Sequence, residues 1–222
     1  KAIDISGELD SIGAQYNAFT GHEFTGYYAK VIPDHFDKAL DIVSDIYLNQ
    51  LFNDAEIEKE KGVIIEEINM YEDLPQQKAQ ELIMESLYGA QPAGRSIAGG
   101  KETVRNLKKD NFLDYRSKHY VSSATTVVVA GNFSEKDVVE KIKYKFAGIS
   151  TGQKFGKEPV IENQKSPNIV FKKKDTDQTH LVLAVRSFDA KDERNYAVEV
   201  LSQILGGGMS SRLFQRIREE MG

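Results

Sequence analysis

At 222 residues the chain is long enough to bury a sizeable core, as one large domain or as one domain and part of another. Its 40% hydrophobic and 28% charged residues describe a globular chain and not a disordered one, and a net charge of -5 with no basic block leaves no footprint for nucleic acid or an anionic membrane. The absence of Cys excludes a disulfide scaffold and thiolate metal sites, leaving His and carboxylates as ligands, and fits a reducing compartment without establishing one.

The chain opens directly into a helical pattern, with Ile5, Leu9 and Ile12 on one face, and ends abruptly at Met221-Gly222; both ends predict a fragment of a longer protein. After Gly13, AQYNAFT and FTGYYAKV alternate as two strands of a hairpin joined at Gly21-His22-Glu23. Pro33 then precedes a helix with Phe36, Leu40, Val43 and Tyr47 along one stripe.

A second helix spans Asp54 to Tyr71. At 100° per residue, Ile57, Val63, Ile64, Ile68 and Tyr71 share one side, and Glu60 and Glu67 fall among them, two turns apart. Glu58 and Glu66 lie on the opposite side, as solvated glutamates do. Carboxylates inside an apolar arc are expected to be buried, which calls for a metal, a basic partner or a raised pKa. Spacing alone leaves a packed interface with Lys or Arg as open as a binding site.

Residues 76 to 88 predict another helix, followed by a Gly-, Ala- and Pro-containing loop to Gly100 and a short helix near 109 to 118. Thr125 to Ala130, TTVVVA, is a β-branched run suited to a strand buried on both faces. Ser134 with Asp137 resembles a capping box for a helix running to Phe146. From Ser150 to Pro167 periodicity disappears and the composition is that of a linker. This divides the chain into 1–150, a linker over 151–167, and 168–222. Beyond it, Asn168 to Lys173 and His180 to Arg186 alternate as strands. Asp192 opens a helix to Leu205, Gly206-Gly207-Gly208 breaks it, and another helix starts at Ser210.

Four of these segments, GAQYNAFTGHEFTGYYAKV, EIEKEKGVIIEEINMYED, YVSSATTVVVAGNF and LGGGMSSRLFQRIREEMG, resemble in order the pitrilysin and insulinase family of zinc peptidases, in the branch of the mitochondrial processing peptidase and its bacterial relatives. The resemblance covers nearly the whole chain. It implies an α+β fold, a mostly antiparallel sheet flanked by helices. Residues 1–150 would then be the first domain of a two-domain clamshell, and 168–222 the start of a homologous second domain. It also implies peptide cleavage by zinc-activated water, with two His and a Glu base in an H-x-x-E-H motif.

In the family a third zinc ligand, a Glu, follows the second His by roughly 75 residues. Glu67 matches this ligand, because it closes the E-x-x-x-x-x-x-E pattern that Glu60 opens, and Glu60 would support the site from behind it. Counting back places the His pair about eight residues before Lys1. The 222 residues would therefore bind zinc weakly or not at all and be inactive alone.

The resemblance further implies that Asn17 and Ala18 bond the backbone of a peptide added as an extra strand, with Phe19 walling a side-chain pocket. Arg218 would reach substrate from the second domain. Peptides are the implied partners, along with a second family member in a homodimer or heterodimer; nucleic acid and membrane are not. A bacterial cytoplasmic location fits the Lys-rich, Cys-free composition. The alternative is a non-catalytic member supporting an active subunit.

Weaker motifs carry no chemistry. His22, His35, His119 and His180 form no metal-ligand spacing, Gly206-Gly207-Gly208 follows a helix and not a strand, and neither Ser122-Ser123 nor Ser210-Ser211 sits in a nucleophile motif.

Overall fold

The computed structural model describes residues 2–222, which fall into two compact units, a first that runs to Val182 and a second, Leu183–Gly222. The first unit begins with helix α1 (Ala2–Ser11), whose Leu9 is almost fully buried. Gly13, at φ 65°, turns the chain into strand β1 (Gln15–Thr20), which pairs antiparallel with β2 (Thr25–Lys30), as the alternation predicts. Pro33 starts a single tight turn that leads into α2 (Phe36–Leu48). This helix buries Ala39, Leu40, Ile42 and Ser44, and it packs on β2.

Helix α3 (Asp54–Asp73) is capped by Asn53, whose Oδ1 accepts from the N–H of Ala55 at 2.9 Å. It packs against α4 (Pro75–Tyr88) and α5 (Lys101–Asn106). Helices α6 (Lys109–His119) and α7 (Glu135–Lys145) follow. The guanidinium of Arg116 in α6 donates to the Leu48 carbonyl, satisfying a C-terminal group of α2. Helix α7 lies against α2, with Lys141 2.8 Å from Asp37 and Lys145 paired to Asp41. Exposed pairs of this kind add little stability each.

One aromatic cluster ties the hairpin to the helices. The Tyr47 ring of α2 lies 4.9 Å from that of Tyr120, 6.0 Å from Phe146 and 6.4 Å from Tyr27 on β2. Its hydroxyl meets Thr125 Oγ1 at 2.6 Å, and the Tyr27 and Tyr120 hydroxyls meet at 3.1 Å. Burial and the bond to Tyr27 push the Tyr120 phenol far above its ordinary value.

The strand predicted over Thr125–Ala130 does not form a ladder. Val121 bridges Ser150 in parallel, and Ser122 N–H donates to the Ser150 carbonyl at 2.8 Å, but pairing stops there. The β-branched run continues with Val128 81% exposed. The segments 168–173 and 180–186, predicted as strands, likewise join no β-ladder, and Phe171, Leu181 and Leu183 are exposed. Propensity favours extended backbone, but a strand also needs a neighbouring strand, and among the described residues these three segments lie beside no ladder. Ser134 precedes α7 as expected but makes no side-chain cap bond. The sheet is thus two-stranded among the described residues, within an α+β fold.

In the second unit, Asp192 accepts from the N–H of Arg194 at 2.9 Å just before α8 (Asn195–Gly206). A wide π-type segment, Phe214–Glu219, follows the glycine break.

Replacing Tyr47 tests the aromatic cluster. Tyr47→Phe should cost about 1 kcal/mol by losing one hydrogen bond, and Tyr47→Ala about 3 kcal/mol by also opening a cavity; urea midpoints at constant slope measure both.

Candidate functional site

Neither outer edge of the hairpin pairs with a further strand among the described residues; α2 packs on β2, and the edge of β1 carries Asn17, Ala18 and Phe19. Gly21 N–H donates to the Phe24 carbonyl at 2.8 Å, closing the turn. Antiparallel ladders alternate, so Phe19/Gly26, Asn17/Tyr28 and Gln15/Lys30 are the pairs that exchange hydrogen bonds. The N–H and C=O groups of Tyr16, Ala18 and Thr20 therefore point away from β2. Ala18 N–H is met by the Asn17 side chain, whose Oδ1 accepts at 2.8 Å. No third strand covers this edge among the described residues, which leaves it able to take an added strand.

Phe19 lies on the Gln15/Asn17 face and is half exposed. Its ring stands edge-on to Phe24 at 5.9 Å and tilted to Tyr28 at 6.4 Å. It covers Gly26 directly across the ladder, where an added Cβ would come within 2.3 Å of the ring. The sequence signals this arrangement only as a glycine inside a strand.

On α3, burial departs from the helical projection. Ile68 is buried, but Val63 is 53% exposed and Glu60 is exposed. Cover along the arc is partial, with Ile57, Ile64 and Tyr71 half-buried, so the expectation that both glutamates are buried fails at Glu60 and is met only in part at Glu67. Glu67 is half-buried, and its Oε1 accepts from the Tyr71 hydroxyl at 3.0 Å. Sequence reasoning placed Tyr71 in the arc without assigning it this bond; its i,i+4 spacing from Glu67 was the available signal. The bond, together with the glutamate's negative charge, raises the Tyr71 pKa.

Arg218 belongs to the second unit, where its guanidinium lies 5.1 Å from the centre of the Phe214 ring. Asn17, Ala18, Phe19, Glu60 and Glu67 belong to the first. His119 stacks on Tyr115 at 4.3 Å, a packing role. Among the described residues, no three His, Asp or Glu side chains gather so as to hold a metal ion. Glu67 is a suitable single donor, but these residues alone do not fit a zinc site.

Residues 2–101 match the family model for insulinase, peptidase family M16, and residues 106–222 match that for the peptidase M16 inactive domain. The chain belongs to the M16 peptidase family. It is 37% identical over its full length to YmxG of Bacillus subtilis, named an uncharacterized zinc protease, and spans 53% of that relative. A solved protease from Helicobacter pylori matches all of this chain and 54% of its own with a TM-score of 0.79 at 19% identity. A chain of complex III2 from Candida albicans matches 70% of this chain and 39% of its own with a TM-score of 0.58 at 22% identity. Both likenesses concern the fold. The chain spans about half the length of the relatives it matches. No helix among the described residues is long and apolar enough to cross a membrane.

Replacing Glu67 by Gln should return the Tyr71 phenol toward its usual value of 10.0, read by ultraviolet titration. A phenol whose folded pKa is raised contributes its stability below the unfolded pKa and loses it as pH rises through the folded pKa. The Glu67→Gln variant should accordingly lose less stability than the parent as the pH passes above 10.

Proposed function

We propose that the protein containing this chain is a zinc-dependent peptidase that binds peptides as an added strand along β1. The observation that carries this reading is the pairing, within one M16 chain, of an uncovered strand edge with a helix whose Glu67 carboxylate is held by Tyr71. The relatives' names supply the metal and the reaction class. The Ala18 carbonyl and the outward main-chain groups of Tyr16 and Thr20 would hold the peptide without regard to its sequence. Asn17, whose main chain pairs with Tyr28, would take part only through the side chain that meets the Ala18 N–H, and the Phe19 ring, braced by Phe24 and Tyr28, would select a side chain.

Glu67 is proposed as one zinc ligand, with the remaining ligands supplied from outside these 222 residues. Glu60 would support the ligand set from its exposed position two turns away. Arg218 would engage substrate from the second unit. Residues 151–167 are read as the connection between the two domains.

A second reading, a non-catalytic partner of an active subunit, is supported by the likeness to a chain of complex III2 and by the match of 106–222 to an inactive domain. Bacterial relatives support a bacterial protein, and the Lys-rich, Cys-free composition is what supports a cytoplasmic location.

In the full-length protein, Glu67→Gln should lower zinc content and peptide cleavage together, by about 10-fold or more in metal affinity. Metal analysis beside a cleavage assay decides it. Unchanged zinc with normal cleavage would remove Glu67 from the ligand set, and no zinc or cleavage in the parent would favour the partner reading.

A further inference from the structure

The linker composition of 151–167 suggests a free tether, yet its first part is fastened to the first unit. Phe155 packs on His119 at 5.4 Å, and Lys157 pairs with Glu23 at the hairpin turn at 2.6 Å. The strongest tie is to main chain. Gln91 Oε1 accepts from Ile161 N–H at 2.6 Å, while its Nε2 donates to the Ile161 carbonyl at 3.1 Å and to the Tyr88 carbonyl at 2.9 Å. One side-chain amide thus grips both polar groups of a single residue, as a neighbouring strand would. The assignment of its two ends is unambiguous, since a flipped amide would set its NH2 against the Ile161 N–H.

The loop carrying Gln91 is itself rigidly built. Gly89 leaves α4 at φ 63°, where a side chain would be strained. Pro92 holds Gln91 in extended backbone, and Gly94 N–H donates to the Gln91 carbonyl at 2.9 Å. A Cβ on Gly94 would lie 2.4 Å from the Gly89 carbonyl oxygen, so the loop closes tightly on itself. Gln91 is therefore presented on a fixed platform.

We propose that residues 155–161 form a strap fastened by Gln91, so that the connection between the domains is gripped by its main chain up to Ile161 and is looser over 163–165, before the chain is tied again at Asn168. Beyond it Asn168 Nδ2 donates to the Ser86 hydroxyl at 3.0 Å, and Lys174 Nζ reaches both Asp73 at 2.8 Å and the Glu72 carbonyl at 3.2 Å. These ties run through side chains of the segment, and none grips its own main chain as Gln91 does. The strap braces the hairpin tip beside the proposed peptide edge. It rests on the reading of 151–167 as that connection.

Hydrogen exchange at single amides in the full-length protein tests it. The Ile161 amide should exchange more slowly than those of 163–165. Gln91→Ala should speed it about tenfold, the loss of two net hydrogen bonds, with α3 and α4 amides unchanged. Gln91→Glu, which keeps an acceptor for the Ile161 N–H, should retain more protection than Gln91→Ala. Unprotected Ile161 in the parent, or protection untouched by Gln91→Ala, would overturn the strap. Protection of 163–165 equal to that of Ile161 would instead overturn the reading of this segment as a connection.

Discussion

The packing of Tyr47 against Tyr27, Tyr120 and Phe146 is the constraint on which the first unit depends. Those rings come from α2, from β2, from the segment after α6 and from the end of α7. A two-stranded hairpin is marginal by itself in water, so β1 and β2 hold their shape only because Tyr27 is anchored to helices that are themselves fixed. Hydroxyl contacts to Tyr120 and Thr125 finish the cluster without leaving these polar groups unpaired. Everything offered by the outer edge of β1 follows from that anchoring.

Rigidity then has a consequence for recognition. An edge strand can bind a peptide through main chain only if its outward N–H and C=O groups are held in register, and the cross-strand pair of Phe19 over Gly26 helps to keep them so. Glu67 is prepared in a comparable way by a neighbour one turn along the same helix. Both features sit on regular elements, where the backbone is already positioned and only a side chain needs fixing.

Local structure was legible wherever short-range pattern decides it. The hairpin alternation, the Pro33 entry to α2 and the long period of α3 each specify an element from neighbouring residues. Helix α5 went unread because its six residues bury only Val104 and carry little periodicity. The runs at 125–130, 168–173 and 180–186 carry the same kind of strand pattern, but pairing is a long-range property and these segments join no ladder among the described residues. Glu60 failed for a related reason: a helical projection tells which residues share a face, while burial depends on what covers it. Of the candidate residues, the Glu67 position and the 17–19 strand were visible in motif and alternation. The Tyr71 bond and the Gln91 grip were not, since each depends on where a side-chain polar group finally points.

Peptide binding at β1 is tested most directly by amide exchange of the full-length protein with and without a bound, uncleaved peptide. Strand addition predicts new protection at the outward amides of Tyr16 and Thr20, and little change at Gln15, Asn17 and Phe19, which already face β2, or at Ala18, whose N–H already donates to the Asn17 side chain. Protection that ignores this alternation, or none along β1, would contradict the account.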